Sequence, residues 1–204
     1  HLNGLTSISD QQAESLSNRS SLELNSLNSI SNQQAESLSN IGWLVLNGLT
    51  SITDEQAESL SNVHYRLELN GLTSISDKQA ASLSKVKLLM LNGITSITHL
   101  QAEHLSKVKD LYLSGLTSIT DEQAESLSKV EAYLNLGGLN SITDEQAETL
   151  IRIKGLHLSD SCFEQILSYQ QKIVDKINVS GTIADEQIEI LKHYKGGNRV
   201  LSGL

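Results

Sequence analysis

The chain has 204 residues, 38% of them hydrophobic and only 3% aromatic, with no proline and a formal charge of −9. That length admits one large domain or two small ones. The negative balance argues against a nucleic-acid or anionic-membrane surface, which needs clustered Lys and Arg, and no run approaches the roughly 18 apolar residues of a membrane span.

The opening words, "LNGLTSISDQQAESLSN" at 2–18, return as "LNGLTSITDEQAESLSN" at 46–62 and as "LSGLTSITDEQAESLSK" at 113–129. Internal repeats of this length are the signature of stacked architectures. The pair "SI" recurs at Ser7, Ser29, Ser51, Ser74, Ser96, Ser118 and Ser141, in steps of 22, 22, 23, 22, 22 and 23 residues. Seven units are plain. A degraded unit follows from Leu156, "INVSGTIADEQIEIL" at 177–191 restores the pattern, and "VLSGL" at 200–204 reads as the opening of another. The chain begins at His1 with no initiator Met or hydrophobic leader, so its start is expected to lie upstream and its compartment is not readable.

Within a unit, Leu44 and Leu46 are spaced by two, as in a very short strand with one buried face, while Ala57, Leu60 and Val63 follow one side of a helix. Leu49 and Ile52 point inward from the connection between them. Thr53 and Gln56 form a capping box, repeated at Ser9/Gln12, Ser31/Gln34, Ser76/Gln79, Thr98/Gln101, Thr120/Gln123 and Thr143/Gln146. Ile52 and Ala57 fit a hydrophobic staple, and Asp54 suits the positive helix end. No unit alone can bury this stripe, but stacked units can, with parallel strands about 4.8 Å apart. The expected fold is therefore α/β: a single right-handed solenoid over 1–204 of about nine units, with parallel strands on a concave face and short helices on a convex one. Residues 159–176 lack the "SIxD" turn, so an irregular unit with a longer helix is expected there, capped by Ser161 with Glu164.

The pattern "LxLxxLxxITDxxxxxL", as at Leu67–Leu83 and Leu111–Leu127, resembles a leucine-rich repeat. It is most similar to the cysteine-containing subtype, with the repeat LxxLxLxxCxxITDxxxxxL. The family's Cys or Asn position is held here by Leu27, Leu49, Leu72, Ile94, Leu116 and Leu139. That departure predicts plain packing in place of a buried polar ladder. The short, nearly identical units also resemble bacterial repeat arrays.

Repeated positions hold a stack together, so function is expected where the units differ. The residues flanking the strand leucines vary most. They yield a candidate contact set of Trp43, Arg66, Glu68, Leu88, Met90, Asp110, Tyr112 and Tyr133, rich in the aromatic and Arg side chains that interface hot spots favour. Leu88, Met90 and Val45 predict an exposed apolar strip, costly without a partner. The column after the strand reads Asn3, Asn25, Asn47, Asn70, Asn92 and Ser114, and Lys176 and Asn178 are expected to extend the variable columns.

The expected function is non-catalytic binding of a protein partner through the concave face, with no cofactor, no nucleic acid and no small-molecule substrate. One alternative is a structural spacer or adhesin segment of a larger surface protein, since both ends stop inside a unit. Another is binding of ice or polysaccharide by hydroxyl rows at Thr50, Thr95 and Thr117. A metal ladder along Asp10, Asn32, Asp54, Asp77, Asp121, Asp144 and Asp185 offers one carboxylate per unit, against the six to eight oxygens calcium needs. The histidines show no HExxH spacing, and Cys162, the single cysteine, gives neither a disulfide framework nor a thiolate cluster. An enzyme is not expected.

Overall fold

The computed structural model describes residue 2 and residues 4–180, with only the backbone described from 176 to 180. Seven-residue helices alternate with short strands: α1 (Asp10–Leu16), β1 (Ser21–Glu23), α2 (Asn32–Leu38), β2 (Trp43–Val45), α3 (Asp54–Leu60), β3 (Arg66–Glu68), α4 (Asp77–Leu83), β4 (Leu88–Met90), α5 (His99–Leu105), β5 (Asp110–Tyr112), α6 (Asp121–Leu127), β6 (Tyr133–Leu136), α7 (Asp144–Leu150), β7 (Leu156–Leu158) and the long α8 (Asp160–Ser180). The strands form one open parallel sheet in chain order, and each helix packs on the next. Leu22, Leu44, Leu67, Leu89, Leu111, Leu134 and Leu156 stand in one file across it. This is a solenoid of repeated strand–helix units.

The apolar rows form a continuous core. Leu44, Leu46, Leu49, Ala57 and Leu60 are fully buried, as are their counterparts Leu67, Leu69, Leu72, Ala80 and Leu83. Each large side chain removed from water in this way contributes about 1.5–3 kcal/mol.

Polar rows join the units as well. Each capping-box Gln after Gln12 does two jobs. Gln101 Oε1 accepts from the Thr98 amide at 2.9 Å, while Gln101 Nε2 donates to the Ile75 carbonyl of the preceding unit at 2.9 Å. Gln34, Gln56, Gln79, Gln123 and Gln146 repeat the backward bond, to the carbonyls of Ile8, Ile30, Ile52, Ile97 and Ile119, at 2.7–3.0 Å. The cap hydroxyls also reach back: Ser31, Ser76, Thr98 and Thr143 donate to Asp10, Asp54, Asp77 and Asp121 at 2.8–3.3 Å. The Asp row is thus an acceptor row for the next unit's caps.

Two caps have no Asp behind them. Thr53 faces Asn32 at 3.5 Å, and the unit before Thr120 carries His99 in that place. In these units the carboxyl two residues past the cap is held below its ordinary value. For Glu55 the cause is its backbone amide and then the Thr53 hydroxyl; for Glu122 it is the Thr120 hydroxyl and then its backbone amide.

A third row contradicts the expectation of plain packing. The Oδ1 atoms of Asn47, Asn70 and Asn92 accept from the backbone amides of Asn70, Asn92 and Ser114 at 3.0–3.1 Å. The polar ladder exists, carried by the residue that follows the strand, while Leu27, Leu49, Leu72, Ile94, Leu116 and Leu139 pack in the core two residues further on. Glycines close the same turn for a steric reason. A β-carbon at Gly71 would fall against the Asn47 carbonyl and lie 2.6 Å from the Leu49 carbonyl oxygen, so only glycine lets adjacent turns approach this closely.

The irregular segment forms a helix, as expected, but longer and differently capped. α8 runs over 21 residues, with no glycine between 156 and 180 to stop it. Its first turn is capped by Ser159, whose carbonyl accepts from Phe163 at 2.9 Å and whose hydroxyl lies 3.4 Å from the Cys162 amide. Ser161 instead donates to the Asn140 carbonyl at 3.2 Å, because the helix starts at Asp160 and Ser161 already lies inside it. Cys162, Ile166, Gln170 and Ile173 are the buried stripe of α8. Tyr169 Oη donates to Glu148 at 2.8 Å, and Lys172 sits 2.7 Å from Asp144, tying α8 to α7. Burial, then the bond to Glu148, pushes the Tyr169 phenol well above its ordinary value.

Residues 177–180 continue this helix instead of opening a new unit, so Lys176 and Asn178 belong to a helix and not to strand columns. The remainder of 177–191, the segment 200–204, His1, Asn3 and Asp185 lie outside the described residues.

Replacing Gln101 by Met strands the Thr98 amide and the Ile75 carbonyl together. The expected loss is about 2–4 kcal/mol, at the usual 1–3 kcal/mol per stranded buried group, read as a lower urea midpoint. Gln12, whose bonds lie within its own cap, should cost clearly less when changed to Met in the same experiment.

Candidate binding face

The strands are three or four residues long, and their two sides have separate fates. The leucines turn inward, and the residues between and before them line the side the helices leave uncovered. Parallel register places these outward residues in two columns. In one, Trp43, Arg66, Leu88, Asp110 and Tyr133 are successive partners; in the other, Val45, Glu68, Met90, Tyr112 and Asn135. All eight candidate residues therefore share one face.

They form two fixed groups on it. The Arg66 guanidinium carbon stacks 4.4 Å from the centroid of the Trp43 ring. Arg66 also makes a forked contact with Glu68, Nε donating at 2.8 Å and a terminal nitrogen lying 2.7 Å from the same oxygen. The Trp43 indole N–H points to that oxygen at 3.4 Å, and Arg66 reaches the Met90 sulfur at 3.6 Å. A guanidinium held by stacking and a charge-assisted bond loses little rotamer freedom when something lands on it. The second group is Tyr112 and Tyr133, whose ring centroids are 5.0 Å apart at 37°. Burial, and secondarily the Tyr112 side chain, raises the Tyr133 phenol above its ordinary value. Leu88 and Asp110 lie between the groups.

The expected apolar strip is narrower than the sequence implies. Val45 and Leu88 are buried and Met90 is half-buried, each set beside a longer neighbour on the adjacent strand, Glu68 for Val45 and Arg66 for Leu88. Trp43, at 40% exposed, is the large apolar side chain that the face does present.

Tyr65 belongs beside this set and was not among the sequence candidates. It is 56% exposed and sits immediately before Arg66. Its signal is the 23-residue step. Both Tyr65 and Arg66 donate to the Gly42 carbonyl, at 3.1 and 3.0 Å, so two residues oppose one, as in a bulge. The other 23-residue step does the same: Ala132 and Tyr133 both donate to the Lys109 carbonyl, at 3.1 and 3.2 Å. Each bulge delivers an aromatic residue to the start of a strand.

On the turn between strand and helix, the hydroxyls divide into two kinds. Those at the caps are committed to bonds within the cap and, for most, to the preceding unit. Thr50, Thr73, Thr95 and Thr117, with Ser51, Ser74, Ser96 and Ser118, are exposed and make no side-chain hydrogen bonds. Among the described residues, no group of three or more His, Cys, Asp or Glu is placed to hold a metal ion, and no helix is long and apolar enough to cross a membrane. Cys162 is fully buried, with its Sγ 3.3 Å from the Leu139 carbonyl. No protein-family model and no curated protein matches the chain.

Trp43 is the chain's single tryptophan, so its emission reports on the first group. Arg66→Ala removes the cation over the indole and opens the ring to water, and a red-shifted emission maximum is expected. An unchanged spectrum would show that the stack does not persist in solution.

Proposed function

We propose that the chain is a leucine-rich-repeat protein, nearest the cysteine-containing subtype, that binds a protein partner without catalysis through its strand face. The observation that carries this reading is the Trp43–Arg66–Glu68 arrangement, with Tyr112 and Tyr133 beyond it. Hot spots are enriched in Trp, Tyr and Arg, and here these residues are already locked by contacts with one another on the uncovered face. Binding then costs little side-chain entropy. Asp10, Asp54, Asp77 and Asp121 are each taken up by the next unit's cap, a structural use that supports binding over acid–base chemistry for this row.

Changing Trp43, Tyr112 and Tyr133 together to Ala is expected to abolish capture of the partner that cross-links to the wild-type chain. The melting temperature should fall by only a few degrees. Full capture by the triple variant would remove the strand face from the proposal.

A second reading has its own observation, the exposed and uncommitted hydroxyl rows. They recur once per unit and offer a regular series of hydroxyls to ice or to a polysaccharide. Thr50, Thr95 and Thr117 changed to Val should alter adsorption to ice or an insoluble glycan, compared side by side with the wild type. Adsorption by neither protein eliminates this reading.

A further inference from the structure

The charge of this molecule is segregated along its two long edges. Helices start on one edge, where Asp10, Asp54, Asp77, Asp121 and Asp144 stand at the first helical position. Helices end and strands begin on the other. From the fourth unit onward that second edge is basic: "SKVK" at 84–87 and 106–109, then Lys129, Arg152 and Lys154. In the first three units Asn18, Asn40 and Asn62 stand in the place of Lys85, and Ser20, Gly42 and His64 in the place of Lys87, with Arg19 the one Lys or Arg between helix and strand before Arg66.

Lys85, Lys107 and Lys129 follow directly after helix termini, where a cation offsets the negative end of the helix. That explains those three, and Arg152 lies 3.9 Å from Glu148. It does not explain Lys87, Lys109 and Lys154. These stand at the entrance to the strands, beyond the turn over which the helix end acts. Their side chains are exposed, and none of the three makes a salt bridge or side-chain hydrogen bond. Their backbones are pinned into the ladder, since Lys87 and Lys109 carbonyls accept from Asp110 and Tyr133 at 3.0 and 3.2 Å. Lys87 and Lys109 are thus fixed one strand apart, about 4.8 Å, and like charges placed side by side are destabilising unless something neutralises them. Ala132 interrupts the column before Lys154; Asp110 and Glu131 are the carboxylates next to the column in sequence, and Glu125 and Glu148 lie near Lys129 and Arg152.

We infer that this basic edge receives an acidic polypeptide segment of the partner that the strand face binds. The inference rests on the proposed strand-face function and names the charge of the partner. Two observations choose the occupant. The edge is continuous with the contact set, because Lys87 and Lys109 immediately precede Leu88 and Asp110. The whole chain also carries a charge of −9, which repels a long polyphosphate but tolerates a short acidic segment held locally.

The test uses a fluorescein-labelled oligo-glutamate peptide, which has no apolar side chain to offer the strand face, followed by anisotropy at low and rising salt. Binding is expected to weaken steeply with salt and to fall by about tenfold or more in the Lys87→Ser/Lys109→Ser/Lys154→Ser variant, as removal of edge charges does at electrostatic interfaces. The matching Lys→Arg triple variant should retain it. Absence of binding, equal binding by the Ser variant, or tighter binding of an oligothymidylate of equal charge would each overturn the inference. Failure here removes the edge alone, and the Trp43/Tyr112/Tyr133 experiment still decides the strand face.

Discussion

The glutamine at the third position of helices α2 to α7 carries two obligations that are usually met by different residues. Its carbonyl oxygen closes the cap of its own helix, and its amide nitrogen satisfies an isoleucine carbonyl in the unit before. A chain of seven-residue helices and three-residue strands has too little local hydrogen bonding to stand alone. With the glutamine in place, forming a helix and docking it on its neighbour become the same event. The hydroxyl-to-aspartate row and the asparagine row add to the tie at other points of the turn. Burial of the leucine files supplies the larger free energy, but it is non-directional; the polar rows set the register in which those files align.

That register is what makes one candidate face out of side chains distant in sequence. Trp43, Arg66 and Glu68 meet because β2 and β3 pair residue for residue, and Tyr112 meets Tyr133 because β5 and β6 do. Where the repeat lengthens by one residue, the extra residue is absorbed at the entrance of the strand, before the inward leucines, so the core files continue undisturbed. Variation is thus confined to the face and the basic edge, while the interior keeps to one pattern. The same separation explains four of the aspartates: Asp10, Asp54, Asp77 and Asp121 accept from the next unit's cap, while Asp144 pairs with Lys172.

Much of the architecture was legible in the sequence because the strongest signal there, spacing, is also the physical determinant. The period of Leu44 and Leu46 against Ala57 and Leu60 fixed strand and helix, and the Thr53/Gln56 pair fixed where the helix starts. What sequence could not show was the second partner of any side chain. Gln56 reads as a cap, but its bond to Ile30 joins residues 26 apart. Asn70 reads as monotony, yet it holds the next turn. Val45 and Leu88 read as exposed, because a single strand does not show that Glu68 and Arg66 will stand beside them. Ser161 looked like the cap of α8, since Ser159 and Ser161 both precede a helical stripe and only the chain's path into the helix separates them.

The glutamine, hydroxyl and asparagine rows also share a sense. In every case the donor belongs to the later unit and the acceptor to the earlier one. The strand ladder donates both ways, but these three rows have a grammatical direction: a finished turn presents open lone pairs forward, and the next turn to arrive brings the protons that fill them. A polypeptide leaving the ribosome amino end first delivers its donors in that order. Growth of the array and synthesis of the chain then run the same way, each new layer completing the one already laid down.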